Sequence, residues 1–425
     1  MTRSTIVILL AALVARPISA HAQSLDDRIG GARGDRVQFS YATRRDVCGD
    51  GRTYIQVANS QWYGSWSDGD HRDACVAGPA RVVLQRSGKD IVSLSVYVGP
   101  LVDSTGGVTD LGRVPATQAA DYLLRLAEHA DGRVSRDAIF PAVIADSAQV
   151  SSRLLAIARD HNAARETRRA AITWLSRPMD ATGSLQPVAD ALLAIARDED
   201  DNQSVRQQAL RVLARLDGGI GLPALITLTR DAQRAWLSRE ALNALAGSGD
   251  PRARAYLRDA VRRADLPDEV LATAVRGFGG EYATGADVAL LRSTYGKLPG
   301  DRSRDAALNA VANFGGADNV RWLLGLASDA GQSSQIRRRA VMLADRAGVP
   351  TADLIKLYDG STDVQLKDAI LAALVENGDR LATDKLMSVA KSDDNPQRRR
   401  KAIAMLSRSS DERVKQFLSD LADQR

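Results

Sequence analysis

The chain has 425 residues, too many for one compact core and enough for two or three domains or one repeat array. Charged residues make up 26% and hydrophobic residues 44%, as in an ordinary folded soluble protein, and the low aromatic content of 4% favours closely packed helices over a large β core. The formal net charge of +5 is small for this length and does not indicate a nucleic-acid partner, which would require a basic face.

An export signal is predicted at the N-terminus. Arg3 provides a positive start, Ile6 to Val14 form a short apolar segment, and Ala20-His21-Ala22 place small residues at the two positions that a signal peptidase requires. Cleavage is expected before Gln23, so residues 1–22 are a signal peptide and the mature protein is periplasmic or extracellular. The apolar segment is too short for a permanent transmembrane helix and no other long apolar stretch follows, so no membrane span is expected in the mature form.

Only two cysteines are present, Cys48 and Cys75. In an oxidising compartment, two cysteines in one small domain are expected to form a disulfide, which would stabilise the domain by roughly 2–4 kcal/mol. A metal site is the alternative, but the two cysteines lack the CxxC spacing that zinc sites favour.

A small β-rich domain is predicted for residues 34–100, after a Gly-rich linker at residues 25–34. Alternating or apolar runs predict strands at Arg36–Tyr41, Thr53–Val57, Ala80–Gln85 and Ile91–Val98. The last two flank a turn that is typical of a hairpin. Residues 101–116 are rich in Gly, Asp and Thr and are predicted to be a linker to the helical part.

An aromatic cluster interrupts this β domain. Trp62, Tyr63 and Trp66 lie within five residues of an otherwise aromatic-poor chain. One interpretation is an exposed recognition loop, because Trp and Tyr contribute much of the contact energy at interfaces. The other is that the rings fold back and cover the small sheet.

Three carboxylates follow the aromatic cluster, at Asp68, Asp70 and Asp73. Their clustering raises the question of calcium binding. They lack the ordered ligand spacing and closing glutamate of an EF-hand loop, so a solvated turn is the favoured interpretation and no metal is predicted.

A repeat of about 33 residues organises the rest of the chain. Small anchor residues recur with successive spacings of 33, 38, 32, 33, 33, 33, 29 and 33, and a large apolar residue follows each one. The anchors are Ala138, Ala171, Ala209, Ala241, Ala274, Ala307, Ala340, Ala369 and Ala402. This pattern predicts about nine two-helix repeats over residues 117–425, each of which must stack on its neighbours to bury its apolar stripe.

The repeated segment Leu-Leu-Ala-Ile-Ala-Arg-Asp, at residues 154–160 and 192–198, makes the resemblance specific. The two-helix unit resembles the HEAT repeat, of the short type found in phycobilisome-lyase-like proteins, and the whole arrangement is similar to bacterial exported HEAT-repeat proteins. The resemblance implies a mostly α fold, an α-α superhelical solenoid with a small N-terminal β-rich, disulfide-bearing domain. It also implies a structural ladder between repeats, formed by a turn Asp and an Arg eight residues later. The matching pairs are Asp160 with Arg168, Asp198 with Arg206, and Asp329 with Arg337.

Some repeats depart from this pattern. Ser238, Leu271 and Leu366 replace the ladder Arg, so the ladder is not expected to be continuous. The glycines at 277, 279 and 280 are expected to loosen the fifth repeat, and residues 177–184 read as a loop insertion.

No catalytic motif accompanies the repeats. The sequence contains no His-Glu-x-x-His, no Gly-x-Ser-x-Gly and no phosphate-binding loop, and the His-Glu pairs with which some HEAT-repeat hydroxylases hold iron are absent, because Ala follows His129 and Asn follows His161. The chain is therefore predicted to be no enzyme and to need no cofactor.

A protein-binding scaffold is the predicted function. Arg338, Arg339, Arg398 and Arg400 are expected on the concave side, where they would contact an acidic protein or peptide; a solvated helix face is the alternative interpretation. The other functional hypothesis, a lyase-like or cofactor-handling protein, rests on analogy with phycobilisome-lyase HEAT proteins.

Overall fold

The structure is a computed structural model that describes residues 24–52, 54–58, 61–63, 75–100, 106–176, 185–231, 233–280 and 283–423, with the backbone alone at 61–63. The predicted signal peptide, Trp66, the carboxylates at 68, 70 and 73 and the insertion at 177–184 lie outside these residues. The chain forms two compact bodies, an N-terminal body (Met1–Gly183) and a C-terminal body (Ser184–Arg425).

The elements confirm the predicted fold class, a helical-repeat protein with a small N-terminal β-rich region. The strands are β1 (Arg36–Tyr41), β2 (Val47–Gly49), β3 (Ile55–Val57), β4 (Gln61–Tyr63), β5 (Ala80–Ser87), β6 (Asp90–Val98) and β7 (Thr109–Arg113). The helices of the N-terminal body are α1 (Leu25–Gly31), α2 (Ala116–His129), α3 (Gly132–Asp137), α4 (Ile139–Val143), α5 (Ser151–Arg159) and α6 (Arg165–Trp174).

The helices of the C-terminal body alternate between the first and the second helix of each repeat. The first helices are α7 (Gln186–Arg197), α9 (Leu222–Leu228), α11 (Pro251–Arg263), α13 (Gly285–Thr294), α15 (Ala317–Ser328), α17 (Thr351–Gly360), α19 (Arg380–Ser392) and α21 (Glu412–Asp423). The second helices are α8 (Gln203–Leu213), α10 (Ala235–Ala246), α12 (Asp268–Phe278), α14 (Asp301–Phe314), α16 (Ser334–Arg346), α18 (Val364–Asn377) and α20 (Pro396–Leu406). Among the described residues, none of the helices has the length and apolar character needed to cross a bilayer.

The central strand of the N-terminal body is β1, in a four-stranded sheet of order β6-β5-β1-β7. Val37, Phe39 and Tyr41 alternate along one face of β1 and are fully buried. The Phe39 ring meets the Tyr122 ring of α2 edge to face at 6.1 Å, and the Tyr41 hydroxyl donates to the Pro141 carbonyl oxygen at 2.6 Å. The sheet and the first helices therefore share one core.

Two segments that the sequence assigned to linkers are ordered elements. Residues 109–113 of the predicted 101–116 linker form β7, which pairs in parallel with β1. The segment lacks the alternation that marks a half-buried strand, so its pairing depends on β1 and not on its own pattern. Residues 25–31 form α1, which Ser24 caps at Asp27 N and which buries Leu25 and Ile29 at helical spacing.

The predicted disulfide is confirmed. Cys48 on β2 is bonded to Cys75, with the two Cα atoms 5.2 Å apart. Next to it, Gly49 and Val76 exchange two backbone hydrogen bonds of 3.0 and 3.1 Å. The bond closes a loop of the chain that contains β3 and β4, and it joins β2 to Cys75, the residue before Val76.

The alanine anchors are buried, as the apolar stripe in each repeat predicted. Every anchor except Ala369, which is half-buried, has no exposed surface. In the C-terminal body each second helix packs on its first helix and on the second helix of the next repeat, from α8 through α20. A small side chain at the contact permits the close approach of neighbouring helices.

The glycines of the fifth repeat tighten the stack, contrary to the prediction that they loosen it. Gly277 and Gly279 lie at the end of α12, and a Cβ at either position would overlap the Cβ of Ala246 on α10 or of Ala310 on α14. Both glycines are therefore needed for close packing of α12 against its two neighbours.

Replacing both cysteines by alanine is expected to destabilise the N-terminal body by about 3 kcal/mol, because the unfolded chain loses a covalent constraint. Amide hydrogen exchange of β1 and β5 should accelerate roughly 100-fold, while exchange in α10 to α20 serves as the internal control. Unchanged exchange in β1 and β5 would contradict this role of the disulfide.

Replacing Gly279 by alanine is expected to lower the free energy of unfolding by about 1–3 kcal/mol, because the added methyl group overlaps Ala310. The double variant Gly279→Ala with Ala310→Gly should recover at least about 1 kcal/mol relative to the sum of the single variants. Urea unfolding followed by circular dichroism measures both. Gly325→Ala, at a helical glycine with open space around it, is the control and should be stabilising; additive single variants would contradict the contact.

Candidate protein-binding surface

The pattern of turn Asp and helix Arg has a structural cause in the three repeats that carry it. The guanidinium Nε of Arg168, Arg206 and Arg337 donates to the carbonyl oxygen ten residues earlier, at 3.0, 3.2 and 2.9 Å. These carbonyls lie at the end of the first helix, where no helical donor remains to pair with them. Where Ser238 replaces the Arg, its hydroxyl donates to the equivalent carbonyl of Leu228 at 3.0 Å.

The turn aspartates act on their own turns. Asp160, Asp198 and Asp329 each accept a hydrogen bond from the backbone N–H two residues later, at 2.9, 3.1 and 2.9 Å. Side-chain bonds of this kind stabilise a turn locally. At Asp329, hydrogen bonds from the Gln332 side chain and the Gly331 N–H lower the pKa of the carboxyl group.

A link between repeats is present at Arg337, which forms an ion pair with Asp363 and whose charge also contributes to the lowered pKa of the predicted partner, Asp329. Its Nη1 lies 2.9 Å from the Asp363 Oδ2 in the next repeat, and both side chains are largely buried. Asp363 also caps α18 by accepting from the N–H groups of Gln365 and Leu366. One arginine thus joins the end of a first helix to the start of the following second helix.

The first helices are joined by a buried carboxylate. The side chain of Asp287 has no exposed surface and accepts hydrogen bonds from both Arg254 and Arg258 on the preceding first helix, the shortest at 2.7 and 2.6 Å. Burial acts to raise its pKa, but hydrogen bonds from Arg258 and Thr284 outweigh burial and lower the pKa. Every charge in this cluster has a partner, which indicates a structural role.

A second set of polar links, which the sequence reasoning missed, runs across neighbouring second helices. Each joins residues 30 to 34 positions apart, about one repeat. The links are Gln207 to Glu240 at 2.7 Å, Arg239 to Glu269 at 2.6 Å, Arg302 to Glu269 at 2.8 Å, Arg339 to Asp305 at 3.1 Å and Lys401 to Asp368 at 3.0 Å. Oppositely charged residues spaced by about one repeat are the sequence signal that could have predicted most of these links.

The four candidate arginines divide into free and engaged side chains. Arg338 and Arg400 are exposed, and no hydrogen bond or ion pair is found for either among the described residues. Arg339 is half-buried and bonded to Asp305 and Asn309. Arg338 and Arg400 therefore remain candidates, and Arg339 contributes mainly through its pairing.

Arg398 is removed from the candidate binding residues. Its side chain is 11% exposed, and its Nε and Nη2 lie 3.0 and 2.9 Å from the Oδ1 of Asp393. The other oxygen of Asp393 accepts from the Tyr358 hydroxyl at 2.5 Å. Burial acts to raise the pKa of Asp393, but hydrogen bonds from Tyr358 and Arg398 outweigh burial and lower the pKa to about 2.

The exposed side of the second helices contains a cleft of about 770 Å³. Its walls come from three successive second helices, α14, α16 and α18, together with the residue that caps α16. The lining residues are Asp301, Arg304, Asp305, Leu308, Ser333, Gln335, Ile336, Arg338, Arg339, Met342 and Gln365. Two of the candidate arginines thus lie in one cleft beside Met342, whose side chain is 53% exposed.

The aromatic candidates are only partly described. Trp62 and Tyr63 lie on β4, where their backbones pair with Gln56 and Ile55 of β3. Trp66 falls outside the described residues. Their role in binding stays a prediction.

Replacing Arg398 by methionine is expected to lower the free energy of unfolding at pH 7 by about 3 kcal/mol, because Asp393 is left buried without its cation. The pKa of Asp393 is depressed in the folded state, so its contribution is full above a pH of about 4 and is lost as the pH falls toward 2. The difference between the variant and the wild type should therefore shrink between pH 7 and pH 3 in urea unfolding. Arg400→Met is the matched control on the same helix, and equal effects of the two variants would contradict the assignment.

Comparison with known proteins identifies the repeat. Residues 189–279, from α7 to the end of α12, match the family model of HEAT repeats. A comparison with curated proteins finds no match. Solved structures that match include human deoxyhypusine hydroxylase in complex with glycerol, at 19% identity over 61% of this chain and 96% of that chain, with a TM-score of 0.24. The match supports HEAT repeats over residues 189–279, which lie within the longer array of helix pairs from α7 to α21.

Proposed function

We propose that this protein is an exported scaffold that binds an acidic protein or peptide along its second helices and acts by binding rather than by catalysis. The second helices α8, α10, α12, α14, α16, α18 and α20 pack one on the next. Their outward side chains form a continuous surface, called here the second-helix face, and this surface is the observation that carries the proposal. Stacked repeats present extended surfaces of this kind, which are commonly used to bind other proteins.

The distribution of charge favours one end of the second-helix face. Helices α16, α18 and α20 carry nine Lys and Arg and three Asp and Glu. Two of the arginines, Arg337 and Arg398, are paired with Asp363 and Asp393 outside these helices, and without them the net charge is 7 − 3 = +4. Helices α8, α10, α12 and α14 carry six Lys and Arg and five Asp and Glu, a net charge of 6 − 5 = +1. Because complementary charge steers association, an acidic partner would be drawn to the last three second helices.

Two features support an exported location. The N-terminal pattern of a positive residue, an apolar segment and small residues is typical of a secretory signal. The only two cysteines form a disulfide, as is usual in proteins of oxidising compartments.

Reversing both free cations, Arg338→Glu with Arg400→Glu, is expected to reduce partner crosslinking in the envelope of the producing cell at least about 10-fold, because two favourable charge contacts become repulsive. Quantitative mass spectrometry of crosslinked peptides measures the effect. The matched control is Arg321→Glu with Lys356→Glu, an equal charge change at exposed residues of the first helices α15 and α17. Absence of a crosslinked partner, or an equal loss in both double variants, would contradict the proposal.

A further inference from the structure

We propose that the cleft between α14, α16 and α18 is the specificity pocket of this surface, and that it takes an extended peptide in which a carboxylate lies next to a bulky apolar side chain. This inference rests on the proposed function, and it names the chemistry of the bound segment and its position.

Among the described residues, the cations Arg304 and Arg338 and the anion Asp301 line the cleft without an ion pair. Arg339 forms an ion pair with Asp305 at 3.1 Å and also donates to Asn309 at 3.0 Å, which closes one wall of the cleft. Arg304 donates from its Nε to the Leu298 carbonyl oxygen at 3.2 Å. No partner of Arg338 is found in the described parts of the chain, and the five charged residues of the lining sum to +1. A carboxylate is the complementary group.

The apolar part of the cleft lies beside Arg338 on the same helix. Leu308 forms a buried floor, Ile336 is half-buried, and Met342 is 53% exposed one turn beyond Arg338. An exposed methionine is flexible and polarizable, and it adapts to apolar side chains of different shape. A partner residue with both a carboxylate and an apolar side chain, or two adjacent residues that each provide one of these groups, would contact Arg338 and Met342 together.

The form of the cleft favours an extended segment. Its lining residues span three successive repeats, so an occupant crosses α14, α16 and α18 instead of lying along one of them. The side-chain amides of Gln335 and Gln365 lie among the lining residues and offer both donors and acceptors to a peptide backbone. Continuation in the same direction leads to α20, which carries Arg400.

The test uses two fluorescein-labelled octapeptides with the full chain, one of alternating aspartate and leucine and one of alternating lysine and leucine. Fluorescence anisotropy should show that the aspartate peptide binds at least about 10-fold more tightly, because it complements Arg338. Arg338→Glu should weaken its binding at least about 10-fold, and Met342→Ser should weaken it about five-fold through lost apolar contact. Two controls should leave binding unchanged: Arg321→Glu, and Leu381→Ser at a leucine that is 55% exposed on the first helix α19.

Three results would overturn the pocket: no binding of the aspartate peptide, equal binding of the two peptides, or equal losses in the cleft variants and their controls. Failure here is distinguishable from failure of the proposed function. If the peptide does not bind but reversal of Arg338 and Arg400 still abolishes envelope crosslinking, the second-helix face binds a partner through other residues. If neither result is obtained, both proposals are wrong.

Discussion

The close approach of one second helix to the next, over a small side chain, is the constraint on which the C-terminal body depends. Helices as short as these are marginal alone and must bury an apolar stripe against a neighbour. Ala241, Ala274 and Ala307 are fully buried in three successive second helices. At Gly277 and Gly279 the neighbouring second helices come so close, at Ala246 and Ala310, that a methyl group would not fit. The regular period of about 33 residues in the sequence follows from this packing. The continuous second-helix face, which we propose as the binding surface, follows from it as well.

Charges in this molecule are divided between those that hold repeats together and those that remain available. Arg337, Arg398 and Arg339 each have a fixed acidic partner, and the first two are largely buried. Arg338 and Arg400 are neighbours of these residues in sequence, yet they point to solvent. One helical turn distributes adjacent arginines over different faces, so a single run of arginines places some side chains in packing contacts and leaves others exposed to solvent.

Much of the fold could be predicted from the sequence because the packing is periodic. The alanine spacing gave the repeats, the alternation at residues 36–41 gave the central strand, and two cysteines left one pairing. Elements that depend on a distant partner could not be predicted: β7 exists because β1 pairs with it, and the glycines tighten a contact whose other half is Ala310. Arg398 was misassigned because its burial is a tertiary property: its ion-pair partner Asp393 also accepts a hydrogen bond from Tyr358, which lies in the preceding repeat.

The central claim is that a partner lies on the second-helix face over α16 to α20. The most direct measurement is site-specific photocrosslinking in the native envelope, with a photoreactive amino acid placed in turn at residues 338, 342 and 400 and at residues 321, 356 and 381 of the first helices. The account predicts that the first three positions capture one and the same partner and that the other three do not. Capture from the first-helix positions instead, or from neither set, would contradict it.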